Sequence, residues 1–132
     1  MIVLDASAAV AVLLNLDAGA PRIRERMDRA GDDLHAPHLF EIEVLSILRR
    51  YALNDKLSPA RAHLALDRLS TMSISRYPHT AMLPRIWELR DNVSAYDAAY
   101  IALAEMLEAT LVTRDARLAR APGIRAEVEV YA

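Results

Sequence analysis

Short apolar runs and longer amphipathic stretches alternate along this chain. Met1 to Leu4 is an unbroken apolar run closed by Asp5, which predicts a short buried strand. Ala6 to about Leu16 has helical spacing and ends at Asp17-Ala18-Gly19, and Pro21 opens an arginine-rich helix that stops at Gly31. Leu34 to Ala36 predicts a second strand. Pro37-His38 then leads into a long helix to about Leu53, with Phe40, Val44, Ile47, Leu48 and Tyr51 as its apolar stripe. Asn54-Asp55-Lys56 is a turn. Ser58 and Pro59 are an N-cap and a first helical residue for a helix to about Ser70. Met72 to Arg76 alternates as a strand does, and His79 to Arg90 is helical around Leu83, Ile86 and Leu89. Ala95 to Leu107 predicts a helix, Thr110 to Thr113 a strand, Ala116 to Ala119 one helical turn and Ala126 to Tyr131 a last strand.

Strands separated by helices in this order predict an α/β fold, with a parallel sheet of five strands covered by helices on both faces. The 132 residues make one domain, 1–132, with no repeat or linker. The chain is 54% hydrophobic but only 5% aromatic, and its Ala and Leu excess favours helices. No window has the roughly 18 apolar residues of a membrane span. Without cysteine there is neither a disulfide nor a thiolate metal site, and without a basic leader the expected location is the cytoplasm. Net charge is −2, so bulk charge gives no pull toward nucleic acid. Lys56 is the only lysine among 16 basic residues. Arginine forks suit phosphate, although a GC-rich genome explains the bias as well.

Four acidic residues change the picture. Asp5, Glu43, Asp97 and Asp115 stand where apolar segments become polar. Side chains just past the carboxyl ends of parallel strands gather round one crevice. Gathered carboxylates hold protons unless a cation joins them, and oxygen ligands suit Mg2+ or Mn2+. Each residue also has a plain local reading. Asp5 and Asp115 fit helix N-caps, and Ser94-Ala95-Tyr96-Asp97 fits a capping box. Glu43 fits an edge ion pair with Arg50, and helical phase alone does not choose between Glu41 and Glu43. One shared metal site accounts for all four at once. Ser7 is placed to orient a carboxylate.

The residues also carry a resemblance. Ile2-Val3-Leu4-Asp5-Ala6-Ser7-Ala8, Ala36-Pro37-His38-Leu39-Phe40-Glu41-Ile42-Glu43-Val44, Ala95-Tyr96-Asp97-Ala98-Ala99-Tyr100-Ile101-Ala102-Leu103-Ala104 and Leu111-Val112-Thr113-Arg114-Asp115 stand in order across nearly the whole chain. In them the chain resembles the PIN-domain ribonucleases, specifically the VapC-type toxins of bacterial type II toxin–antitoxin pairs. The resemblance implies a three-layer α/β/α sandwich. It implies that Asp5, Glu43, Asp97 and Asp115 hold one or two divalent ions, with Ser7 and Thr113 as hydroxyl partners. It selects Glu43 over Glu41, because the family's glutamate is followed by Val, as here by Val44. Ser46 stands where the family often has Asn. A homodimer and inhibition by a cognate antitoxin are implied too, the latter in an apolar groove here assigned to Val10, Leu13, Leu14 and Leu45.

The expected activity is metal-dependent hydrolysis of structured RNA, a tRNA or rRNA loop, leaving 5′-phosphate and 3′-hydroxyl ends. Candidate phosphate contacts are Arg49, Arg50 and Arg114, and beyond them Arg22, Arg24 and Arg26. Tyr96 is a candidate for base stacking and Trp87 for the core. His35, His38, His63 and His79 show no metal spacing or acid–base pairing. Two other readings compete: a non-catalytic RNA- or protein-binding module of the same fold, and a receiver-like phosphoacceptor domain, which would want a late lysine.

Overall fold

The computed structural model describes residues 1–132. Its strands are β1 (Ile2–Leu4), β2 (Leu34–Pro37), β3 (Ser75–Tyr77), β4 (Thr110–Thr113) and β5 (Glu127–Val130). Its helices are α1 (Ala6–Leu14), α2 (Gly19–Ala30), α3 (Phe40–Leu53), α4 (Pro59–Ser70), α5 (Leu83–Glu88), α6 (Ala95–Leu107) and α7 (Ala116–Arg120). All strand pairs are parallel, in the order β3-β2-β1-β4-β5. The apolar run of β1 lies at the centre, and Ile2, Val3 and Leu4 are wholly buried. A parallel central strand is covered on both faces, so a continuous apolar run suits it better than alternation.

Helix α6 packs across β1, β2 and β4 and carries α5, while α1 packs on β4 with α2, α3 and α4 around it. The result is the expected α/β/α arrangement. Ala98 to Ala104 are all buried, and so are Ala6 and Ala8 to Ala11. Alanine on these faces lets the helix backbones come close to their neighbours, which explains why so apolar a chain needs few aromatic residues.

Ser58 caps α4 as expected: its Oγ accepts from the Arg61 N–H at 3.2 Å, ahead of Pro59. Ser58→Ala is expected to cost about 1 kcal/mol. That is a fall of about 3 to 5 °C in the thermal midpoint, read by circular dichroism.

Three segments depart from the sequence expectation. Helix α2 begins two residues before Pro21, because Asp17 Oδ1 accepts from the Gly19 N–H at 2.9 Å and starts the turn early. Pro21 then lies in the first turn, where an N–H has no helical partner to lose. Strand β3 lies at Ser75–Tyr77 rather than Met72–Arg76. Tyr77 Oη meets His35 Nδ1 at 2.7 Å across the β2–β3 pair, a link between distant residues. The expected helix from His79 to Arg90 is divided into a 3-10 turn, Thr80–Met82, and the short α5. Pro84 has no N–H to return to Thr80, so one continuous helix is disfavoured there. Trp87 is consequently not core. It is 67% exposed, while Met82 and Leu89 turn inward.

Candidate active site

The site lies at the carboxyl ends of β1 and β4. Leu4 pairs with Val112, and the Asp5 N–H continues the ladder to the Val112 carbonyl at 3.0 Å. Asp5 therefore stands beside Thr113. Its Oδ2 accepts from Thr113 Oγ1 at 2.5 Å, and its Oδ1 accepts from the Ser7 N–H at 3.1 Å. Thr113 Oγ1 in turn accepts from the Asp115 N–H at 3.1 Å, and Ser7 Oγ accepts from the Arg114 N–H at 3.3 Å. Asp5 is thus both the N-cap of α1 and a buried, rigidly held carboxylate.

Glu43 arrives from α3, which buries Phe40, Val44 and Leu48. The two glutamates of that turn are now distinguished. Glu41 forms an ion pair with Arg76, outside the cavity, whereas Glu43 points in beside Asp5. Glu43 makes no ion pair with Arg50. Its Oε1 is buried without a hydrogen-bond partner, and so is the Tyr100 hydroxyl that faces it. Asp97 enters from the first turn of α6. Ser94 Oγ accepts from the Asp97 N–H at 3.1 Å, but the return bond of a capping box is missing, which leaves the carboxylate to the cavity. Asp115 caps α7, accepting from the Arg117 N–H at 2.9 Å, and its carboxylate also grips the Arg117 guanidinium, with Nη2 to Oδ2 at 2.6 Å.

Asp5, Glu43, Asp97 and Asp115 line one cavity of about 380 Å³, together with Ser7, Ser46, Arg50 and Tyr96. Burial raises the Asp5 carboxyl above its ordinary value, against the opposing hydrogen bonds of Thr113 and Ser7 and with help from the charge of Asp97. Burial likewise raises Glu43, against the opposing pull of the nearby Tyr100 hydroxyl, and the charges of Asp5 and Asp97 add to the rise. Burial raises Asp97, and Asp115 adds. Asp115 goes the other way, because Arg117 holds it ionised. Three crowded carboxylates with no arginine or lysine in salt-bridge contact are relieved by protons or by a bound cation.

The donor set fits a hard divalent cation: all oxygen, acidic, with one buried oxygen lacking a partner. As placed, no three acidic or histidine side chains converge at coordination distance. Asp115 is held aside by Arg117, and Asp5 is held by Thr113 and Ser7.

Other expected contacts are redistributed. Arg114 is committed elsewhere, since its two terminal nitrogens grip Asp17 at 3.1 and 2.9 Å. Arg50 does line the cavity, whereas Arg49 is exposed on α3 outside it. Arg26 pairs with Glu129, and Arg24 donates to the Val12 carbonyl. The expected apolar groove is not open: Val10, Leu13 and Leu14 belong to the core, and only Leu45 is exposed. His35 is paired after all, with Nε2 at 2.6 Å from Asp33 Oδ1 and Nδ1 on Tyr77, yet it stands outside the acidic cavity. Arg117 and Tyr100 were not foreseen. Their signal was spacing, two residues after Asp115 and three after Asp97.

The comparisons with known proteins agree with this fold. The PIN domain family model matches residues 2–124. Ribonuclease VapC9 of Mycobacterium tuberculosis is 48% identical over 118 residues, 89% of this chain and 88% of the relative. Ribonuclease VapC1 of the same species is 41% identical over 129 residues, covering 97% and 96%. Among solved structures, Mycobacterium tuberculosis VapC20, described as a sarcin-ricin loop cleaving toxin, superposes with a TM-score of 0.72 at 17% identity, over 94% of this chain and 96% of that one. DNA-bound VapBC from Salmonella typhimurium gives 0.69 at 19%, over 99% and 98%. No helix is long and apolar enough to cross a membrane. A model match over nearly the whole length, with relatives this similar, leaves a receiver-like domain out of contention: the chain belongs to the PIN-domain family, among its VapC ribonucleases.

Proposed function

We propose that the chain is a metal-dependent endoribonuclease, the toxin of a VapBC-type pair, cleaving a structured RNA to leave 5′-phosphate and 3′-hydroxyl ends. The observation that carries this reading is the cavity in which Asp5, Glu43 and Asp97 all have raised proton affinity with no cationic side chain bound to them. Asp5, Glu43, Asp97 and Asp115 would hold Mg2+ or Mn2+. A bound ion of this kind supplies a more acidic water and charge relief on the phosphate.

The chain's own contribution is positional. Thr113 and Ser7 fix Asp5, and Ser46 borders the cavity beside Glu43. One of the four cavity carboxylates would accept a proton from the attacking water, and Glu43, beside Asp5, is within the same cavity. Arg50 and Tyr96, at the rim, would meet the RNA.

The named relatives support RNA as substrate, and a tRNA or rRNA loop is the expected form. The VapBC and gonococcal FitAcB complexes among the structural neighbours support a cognate antitoxin. Exposed Ile42, Leu45 and Leu53 on α3 and Leu64 and Leu66 on α4 offer apolar area for that partner and for a homodimer. Action on cellular RNA would put the protein in the cytoplasm.

The test is total cellular RNA incubated with purified protein in Mg2+ or EDTA, beside Glu43→Gln. Discrete fragments that need the metal, carry 3′-hydroxyl ends and are lost in the variant are expected. Fragments ending in 2′,3′-cyclic phosphate, or formed equally in EDTA, would refute the mechanism.

A further inference from the structure

Next to the acidic cavity lies a larger cleft of about 780 Å³ between the α5–α6 connection and α7. Asp97 lines both spaces, and Arg117 lines the cleft while gripping Asp115 of the cavity. The two therefore share Asp97 as a common wall. Three arginines, Arg90, Arg117 and Arg120, and two aspartates, Asp91 and Asp97, line the cleft.

Neither Arg90 nor Arg120 has an acidic partner within salt-bridge distance, unlike Arg26, Arg76, Arg85 and Arg114. Arg90 is nevertheless held. Its guanidinium donates to the Trp87 carbonyl at 2.9 Å and lies 4.7 Å over the exposed Trp87 ring. The cleft wall is held as well: Asn92 Nδ2 donates to the Pro122 carbonyl at 2.9 Å, and Arg85 Nη2 donates to the Gly123 carbonyl at 2.7 Å. A preformed, arginine-lined cleft beside a phosphate-cleaving centre suits a polyanionic strand, and a planar guanidinium suits its phosphates.

We propose that this cleft is the flanking-strand subsite for RNA, in which Arg90 and Arg120 bind backbone phosphates next to the one being cleaved. The proposal rests on the nuclease reading. Asp97 marks where the strand passes from cleft to cavity. Arg114 and Arg49, the contacts first expected from sequence, are respectively tied to Asp17 and outside the cavity, so the cleft supplies the cationic track they do not.

The experiment measures binding of a fluorescein-labelled single-stranded RNA as a function of salt, in an Asp5→Asn background that cannot cleave, together with cleavage kinetics in the active background. Arg90→Ala/Arg120→Ala is compared with a charge-matched control, Arg29→Ala/Arg68→Ala, on exposed positions of α2 and α4. The cleft pair is expected to lose about tenfold in affinity per arginine at about 0.1 M salt. Its slope of log Kd against log salt should shrink by about 1.4, from two phosphates at about 0.7 each. KM should rise more than kcat falls, and Arg90→Lys/Arg120→Lys should restore the slope. An active cleft-pair variant with unchanged slope and KM would overturn the subsite and leave the nuclease reading intact. Equal losses in the control pair would overturn it too, as a bulk charge effect. A wild type that neither binds nor cleaves RNA would overturn the nuclease reading, and this subsite with it.

Discussion

Replacing Asp5 by Asn is expected to lower RNA cleavage by about 10³-fold or more without unfolding the chain. Outer partners of metal ligands already cost about 10- to 100-fold when mutated, and Asp5 is proposed as a ligand itself. The same residue has three structural tasks: it caps α1, accepts from Ser7 and accepts from buried Thr113. Asn is as good an N-cap as Asp. Its carbonyl oxygen keeps the Ser7 bond, and its amide can donate to Thr113 Oγ1 once that hydroxyl turns. What Asn lacks is the charge, and burial works against that charge in the native state. Metal-free Asp5→Asn is therefore expected to melt no lower than metal-free wild type. A midpoint several degrees lower would mean that the carboxylate is chiefly structural, and any loss of cleavage would then say little about catalysis. Unchanged cleavage in the folded variant would remove Asp5 from the site.

Much of this site could be read before any coordinates. Asp5, Asp97 and Asp115 sit at element boundaries, and in a parallel α/β sheet those at the strands' carboxyl ends must cluster. Two of the local readings hold alongside a shared cavity. Asp5 and Asp115 are N-caps and also line the cavity, since a cap position at a strand's end points its carboxylate the same way. What escaped sequence reasoning was pairing between distant residues. Arg114 finds Asp17, 97 positions away, and Tyr77 finds His35, 42 positions away. No periodicity encodes either. Trp87 escaped for another reason: its size argued for the core, but a six-residue helix turns only one side inward, and Arg90 covers part of the exposed ring. Val10, Leu13 and Leu14, expected to line a groove for the antitoxin that the resemblance implies, lie on a helix that is apolar all round; such a helix is a buried one, and this one lies among α2, α3, α4 and β4.

Divalent metal is expected to stabilise the protein strongly, and more so as pH rises. At a hundred times its Kd, a ligand specific to the native state adds about 2.7 kcal/mol, or a rise of about 10 °C in the thermal midpoint at this size. The pH dependence follows from the carboxyl shifts. Asp5, Glu43 and Asp97 are raised above their usual values of 3.8 and 4.5. Without metal, the native state binds more protons than the unfolded chain between those values and the raised ones, so across that window these three groups make stability fall as pH rises. Asp17, Asp33, Asp115, Glu105 and Glu129 are lowered and act oppositely, their contribution being lost as pH falls below the ordinary carboxylate range. A bound cation reverses the sign for the first three, because it needs them ionised and displaces their protons. Scanning calorimetry in Mg2+ and in EDTA between about pH 5 and pH 8 is therefore expected to show a metal increment that widens with pH, as protons cease to compete. In Asp5→Asn/Glu43→Gln the increment should collapse at every pH. An increment that is flat with pH, or kept by the double variant, would place the ion somewhere other than among these carboxylates.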